Sequence, residues 1–423
     1  MASSTTKSLP TLSGARIKTR KRDEKEKYDP RLFRDEILTG LNEAKDNYEE
    51  ASKFLDVKGN QLDYRQYADT LFDILIAGGM LLPGGGIKEE TDRPYKAEVC
   101  VFTCEADLVK MKRHVQLIRN LTRRFKYLTK TYEESMVKIL KFLKGFTMEE
   151  RTRLAVYTGL VLGEGLVAGT ILASLLNEHL VKEGLALKFL TKCFEAWLSE
   201  RDIASVGQAL RKGKLDFKLL EFMPPQQQTY EAFSTHFKKE GLDQLVHYQW
   251  LQGVKKHKNR LRRQVDDKMK DNDPPMISEI IELCQDYKST SPLTDSDVVL
   301  VLWRSVMDAM DWNKKEELVA DQARVHLKTY CELFLPFCEQ GTAQLTLIIR
   351  IQEYCYENVN FTKIFHKILI LLYRNDIITE QAILKWYTDA HLPKGKSNFL
   401  EQMKEMVDWL KTAEEESDTD MTS

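Results

Sequence analysis

The chain has 423 residues, enough for two compact domains that each bury a core without staples. Its 63 basic and 64 acidic residues leave a formal net charge of -1, which argues against the global basic balance of a dedicated nucleic-acid binder. Seven scattered cysteines, an odd number, do not form a secreted disulfide framework and fit reduced thiols in a cytoplasmic protein.

Near neutrality hides segregation. The first thirty residues carry eight basic against four acidic side chains, a net of +4. The polar opening stretch has no basic patch followed by an apolar run, so no secretory signal is expected. Five cations follow in close order: Arg16, Lys18, Arg20, Lys21 and Arg22. Such a run suits a disordered arm, a transport signal, or contact with RNA or the ribosome. The basic half of a zipper would need leucines every seven residues directly afterwards, and Tyr28-Asp29-Pro30 ends the run instead. Residues 1–30 are therefore read as a disordered basic arm.

From residue 31 onward, apolar side chains recur at helical spacing between short Gly, Pro, Asn or Asp breaks, and sheet signals are scarce. Helices of this length on short turns must bury their apolar stripes against sequence neighbours. The expectation is an all-α fold, a HEAT-like α-solenoid of antiparallel helix pairs in two domains. Gly78-Gly79 and Gly84-Gly85-Gly86 lack the Gly-Lys-Ser/Thr of a phosphate cradle and read as a loop. Cys100 and Cys104 have no second Cys or His pair at zinc spacing, and His114 alone is a poor third ligand. Residues 154–176 are long and apolar, with Glu164 as the only charge. Gly163-Glu164-Gly165 in their middle reads as a turn between two buried helices, so no membrane span is expected. Gly163, Gly165 and Ala168 match a loosened dinucleotide fingerprint, but that motif requires a preceding strand, and the context is helical.

A boundary is expected between Met223-Pro224-Pro225 and Asp271-Asn272-Asp273-Pro274-Pro275, because prolines stop helices. We place the domains at 31–245 and 246–414. The segment between the prolines is basic, with Lys255, Lys256, Lys258, Arg260, Arg262, Arg263, Lys268 and Lys270 opposed by Asp266 and Asp267. A solvated connecting helix and a nucleic-acid-binding patch both fit it. Farther on, Phe361, Ile364, Phe365, Ile368, Leu369 and Leu372 line one helical face.

The last two helices carry the clearest signal. Thr379 is the expected N-cap of the first, whose apolar stripe is Ala382, Ile383, Trp386, Tyr387 and Ala390; Pro393 and Gly395 end it. Ser397 is the expected cap of the second, with Phe399, Met403, Met406, Val407 and Leu410 facing inward. Glu401, Glu405 and Asp408 recur there at i, i+4 and i+7, forming one acidic stripe edged by Trp409 and extended by Glu414, Glu415 and Glu416. Like charges at that spacing destabilise an isolated helix by tenths of a kcal/mol, so stability does not explain the stripe, whereas a cationic partner would. Trp386, Tyr387 and Trp409 fit core packing beside a solvated face, the reading an arbitrary helix favours, and the alternative is a surface where an indole covers lysine stems. From residue 376 onward eleven acids face five lysines, a net of -6. Residues 415–423 are expected to be a disordered acidic tail, in which Ser417 suits an acidophilic kinase. No HExxH, no G-x-S-x-G elbow and no metal or cofactor motif is present, so the chain is expected not to be an enzyme.

Two blocks, Glu380-Gln381-Ala382-Ile383-Leu384-Lys385-Trp386-Tyr387 and Val407-Asp408-Trp409-Leu410-Lys411-Thr412-Ala413-Glu414-Glu415-Glu416-Ser417, resemble the paired aromatic and acidic boxes that close W2 domains. With residues 16–27, Leu62-Asp63-Tyr64-Arg65, Leu71-Phe72-Asp73-Ile74-Leu75 and residues 312–319, they make nearly the whole chain similar to the basic leucine zipper and W2 domain proteins, also called factor-five mimics. The resemblance implies an N-terminal HEAT/MIF4G-like domain and a W2 domain at 246–414. It further implies a cytoplasmic regulator of translation initiation whose W2 domain binds the lysine-rich beta subunit of initiation factor two, and initiation factor three, in competition with factor five. Factor five also has a GTPase-activating domain with a four-cysteine zinc cluster. This chain lacks the cluster, so the resemblance implies occupancy of the docking site without GTP hydrolysis, restricting initiation at non-AUG codons. The alternative is a nucleic-acid-binding regulator using the basic arm and residues 255–270.

Overall fold

A computed structural model describes residues 29–45, 47–81, 97–105, 107–271, 276–313 and 315–420, without the side chains of residues 271, 316, 317 and 413–420. The basic arm with Arg16, Lys18, Arg20, Lys21 and Arg22, and the glycines at 84–86, lie outside these residues. The chain divides into two compact units between Val246 and His247. Among the described residues no strand is present, and no helix is long and apolar enough to cross a membrane.

Among its described residues the first unit has ten α-helices, several of whose starts are written locally. Asp29 opens α1 (Pro30–Ala44) by accepting the Arg31 and Leu32 amides at 3.0 and 3.2 Å, with proline at the first position, where no donor is needed. There follow α2 (Tyr48–Lys58), α3 (Ala68–Ala77), α4 (Leu108–Arg124), α5 (Leu128–Lys141) and α6 (Met148–Gly163), the last opened by a reciprocal Thr147/Glu150 capping box. Next come α7 (Glu178–Lys182), α8 (Leu185–Glu200), α9 (Ile203–Lys212) and α10 (Tyr230–Lys239). Contacts alternate along the chain. The helices α2, α4, α6 and α8 stack in one layer, while α1, α3, α5, a 3-10 segment at Gly169–Leu176 and α9 stack in the other. This is the solenoid logic, in which each helix buries its stripe against the helices two places before and after it.

The closest crossing is that of α6 on α8. A Cβ at Gly159 would lie 2.3 Å from the Cys193 carbonyl oxygen, so the absent side chain lets the two backbones meet. The apolar stretch at 154–176 is thus the centre of this packing. Its second half is not an α-helix, as the two-helix reading required, but the 3-10 segment Gly169–Leu176. Glu164 is paired with Arg119, and Gly165 takes a left-handed φ of 68° to turn the chain. Cys100 and Cys104 are both buried, Cys100 beside the Thr103 hydroxyl and Cys104 beside that of Tyr48; no group of three metal-ligating side chains occurs among the described residues.

The helix α11 (Asp243–Asp271) begins before the division and runs on into the second unit, which continues with α12 (Ile277–Thr290), α13 (Asp295–Asp308), α14 (Glu316–Tyr330) and α15 (Gly341–Glu357). It closes with α16 (Phe365–Arg374), α17 (Glu380–Lys385) and α18 (Lys396–Asp420). Again the layers alternate, α13, α15 and α17 in one and α14, α16 and α18 in the other. The stripe from Phe361 to Leu372 packs inside, each of its six side chains at most 3% exposed. Burial of each such side chain contributes about 1.5–3 kcal/mol before entropy is counted. Trp312 donates its Nε1 hydrogen to the Met307 carbonyl at 2.8 Å and stands edge-on to His326 and Phe361, so its place is one of packing.

Candidate partner-binding face

The site is carried by α16, α17 and α18, and α15 holds them in place through two buried glutamines. Thr379 caps α17, its hydroxyl accepting the Ala382 amide at 3.4 Å. The cap is fixed in turn by Gln344, 4% exposed, whose Oε1 accepts both the Thr379 amide at 2.9 Å and the Thr379 hydroxyl at 2.7 Å. Two turns along α15, Gln352 is fully buried. Its Oε1 accepts the Trp386 indole N–H at 2.9 Å and the Leu392 amide at 3.0 Å, while its Nε2 donates to the Leu392 and Lys394 carbonyls at 3.0 and 3.2 Å. All four polar capacities of that amide are used, which satisfies the chain where α17 passes through a π turn at Trp386–Ala390 and leaves the helix.

Trp386 is therefore not a surface residue. It is 0% exposed and packs on Phe365 with ring centroids 5.1 Å apart, so its expected place in a partner-binding face is corrected to one in the core beneath that face. Tyr387 is half-buried beside it, with ring centroids 6.5 Å apart. The turn after it depends on Gly395, whose φ is 67° and where a Cβ would lie 2.5 Å from the Phe399 ring. Because α18 begins at Lys396, Ser397 lies inside the first turn and is not the cap; the Phe399 amide donates to the Gly395 carbonyl at 3.1 Å.

On α18 the sequence pattern sorts the side chains to opposite sides. Phe399, Met403, Val407 and Leu410 are at most 1% exposed, and Met406 is half-buried. Glu401, Glu405 and Asp408 are exposed on the far side, with Lys404 and Lys411 exposed along one flank. Trp409 stands 57% exposed on the other flank, edge-on to Tyr373 of α16 with ring centroids 6.4 Å apart. The Tyr373 hydroxyl donates to Glu380 Oε1 at 2.6 Å, and this bond to a carboxylate pushes the phenol pKa up to about 12. The flank is pinned at its other end by Gln402, which donates to the Thr362 carbonyl at 2.8 Å and faces His366 Nδ1 at 3.2 Å. The backbone of α18 remains helical to Asp420, so helix continues where a disordered tail from residue 415 was expected. The side chains of Glu414, Glu415, Glu416 and Ser417 lie outside the described residues.

The arrangement presents three carboxylates in a row, an exposed indole at their edge, and a tyrosine held neutral against an acid. Chemistry of this kind is able to pair extended cationic side chains, with carboxylates for the ammonium groups and an indole to cover methylene stems. Sequence reasoning missed Gln344 and Gln352, for which the only local signal was a polar residue inside an apolar helical stripe.

Comparison with known proteins places this geometry in a family. The family model described as the 5MP1/2 HEAT domain matches residues 17–259, and the W2 model, described as eIF4-gamma/eIF5/eIF2-epsilon, matches residues 343–420. Over 411 residues, 97% of each chain, the protein is 47% identical to eIF5-mimic protein 2 of Gallus gallus. It is 46% identical, with the same coverage of both chains, to eIF5-mimic protein 1 of Danio rerio and eIF5-mimic protein 2 of Homo sapiens. With the HEAT-type solenoid, the W2 helices and these relatives in agreement, the chain belongs to the eIF5-mimic protein family.

Proposed function

We propose that the chain regulates translation initiation as a competitive adaptor. Its acidic face binds lysine-rich segments of the beta subunit of initiation factor two, and its W2 domain also binds initiation factor three. It thereby occupies sites that factor five needs and restricts initiation at non-AUG codons. It acts in the cytoplasm and without a catalytic step of its own. The observation that carries this reading is the exposed stripe of Glu401, Glu405 and Asp408 with Trp409 at its edge, on a helix whose opposite side is locked into the core. Like charges at this spacing cost stability, which Lys404 and Lys411 offset only in part, so stability does not explain the stripe. The relatives' names, eIF5-mimic proteins, support the competition with factor five.

The test is displacement. Purified chain titrated into a complex of factor five with the beta subunit releases factor five in a saturable manner, and leaves the rate of GTP hydrolysis by factor two unstimulated. Ternary complex formation with no release would defeat the competitive reading, and accelerated GTP hydrolysis would defeat the non-catalytic one.

A further inference from the structure

The basic segment of α11 is divided by the structure into two sets. Lys258 pairs with Asp297 at 2.6 Å, Arg262 with Asp308 at 2.5 Å and with Asp266 at 3.5 Å, and Lys268 with Glu279 at 2.6 Å. These three are half-buried and fasten α11 to α12 and α13, beside its buried Leu261, Val265 and Met269. The remaining five, Lys255, Lys256, Arg260, Arg263 and Lys270, are all exposed and make no ion pair among the described residues. Lys256, Arg260, Arg263 and Lys270 fall at i, i+4, i+7 and i+14, one face of the helix opposite its buried side, over about 21 Å at 1.5 Å per residue. Asp267 is the acid on that face.

Resting on the reading that the chain acts in translation initiation, we infer that this stripe is a binding site for the phosphate backbone of RNA. A helix stabilises itself with ion pairs and with cations in its last turn, but a row of unpaired cations raises its energy through mutual repulsion. The field is felt locally: His257 has its pKa lowered first by burial and then by the charges of Lys256 and Arg260. A polyanion relieves that repulsion. Between RNA and an acidic protein partner, the composition of the face decides. Among the described residues of α11, the side chains on this face beside the four cations are Asn259 and Asp267, and neither is an aromatic or aliphatic anchor. A protein interface of useful affinity centres on such anchors, whereas phosphate binding runs on charge alone and reads no sequence.

The experiment uses the full chain and a fluorescent oligouridylate of about 20 nucleotides, followed by anisotropy across roughly 50–300 mM KCl. The variant Lys256→Gln/Arg260→Gln/Arg263→Gln/Lys270→Gln is compared with wild type, both keeping the N-terminal arm. The expected result is an affinity loss of tenfold or more near 100 mM salt, and a plot of log affinity against log salt shallower by about 2–3, since each single-strand phosphate contributes about 0.7. A second variant exchanging lysine for arginine and arginine for lysine at the same four positions keeps the charge and is expected to bind like wild type. Equal affinity and slope for wild type and the glutamine variant would overturn the proposal. So would loss of binding in the charge-keeping variant. A poly-glutamate peptide that binds in a stripe-dependent way while the oligouridylate does not would assign the face to an acidic protein instead.

Discussion

The two tryptophans of the C-terminal boxes have opposite fates. Trp386 is fully buried, its indole N–H bound by Gln352, whereas Trp409 is 57% exposed and stands edge-on to Tyr373. Both stand in helices with similar apolar spacing, and both belong to strings that mark the family. The difference teaches that such a signature joins two kinds of information. The first box builds the platform, and the second displays the chemistry on it.

Breaking the platform has the largest expected effect. Replacing Trp386 with Ala removes a buried aromatic and leaves Gln352 with an unused acceptor, so the second unit loses about 3–5 kcal/mol, measurable by denaturant unfolding. Binding to a lysine-rich peptide disappears only to the degree that this unit unfolds. A milder break is Gln352→Leu, which strands the Trp386 and Leu392 donors and the Leu392 and Lys394 acceptors. Of these only the Trp386 indole N–H loses a fully buried bond, and one unsatisfied buried group costs about 1–3 kcal/mol; the other three are part-buried at the turn, where water replaces the lost partner, and the loss is read from the same unfolding curves.

The displayed side behaves the other way. Trp409→Ala leaves stability within about 0.5 kcal/mol, because an exposed surface residue is removed. It weakens binding to a lysine-rich peptide roughly two- to fivefold, the cation–π contribution at an exposed site, as read by calorimetry. Unchanged binding together with a large stability loss would erase the distinction between the two tryptophans. The smallest effect concerns Tyr373. Its folded pKa of about 12 lies above the ordinary value of 10, because the hydrogen bond to Glu380 favours the protonated phenol. The stabilisation is full below pH 10 and is lost as pH rises from 10 through 12. Glu380→Gln brings the phenol back toward 10, visible in ultraviolet absorbance.

Much of this was legible beforehand because it is local. The stripe from Phe361 to Leu372, the Thr379 cap and the inward row of Phe399, Met403, Val407 and Leu410 follow from the 3.6-residue period and from capping chemistry within four residues. The acidic stripe was legible for the same reason. The fate of Trp386 was not, since it depends on Gln352, 34 positions earlier in the chain, and a glutamine in a helix reads as surface. Likewise Gly159 gives no sign in sequence of the close crossing with Cys193, and the 3-10 winding of Gly169–Leu176 is set by packing against α5 and α9, which propensity does not see. The basic segment shows the limit most clearly. Eight cations look alike in sequence, and only the positions of Asp297, Asp308 and Glu279 separate those that hold the fold from those that face solvent.

The central claim is that the exposed carboxylates of α18 are the docking chemistry. It is tested by calorimetric titration of a lysine-rich peptide from the beta subunit of initiation factor two into wild type and into Glu401→Lys/Glu405→Lys/Asp408→Lys. Three exposed reversals on a helix fixed from its opposite side should leave the unfolding transition nearly in place, abolish binding, and remove the weakening that wild type shows as salt screens charges beyond about 8 Å. Undiminished binding by the folded triple variant would contradict the account.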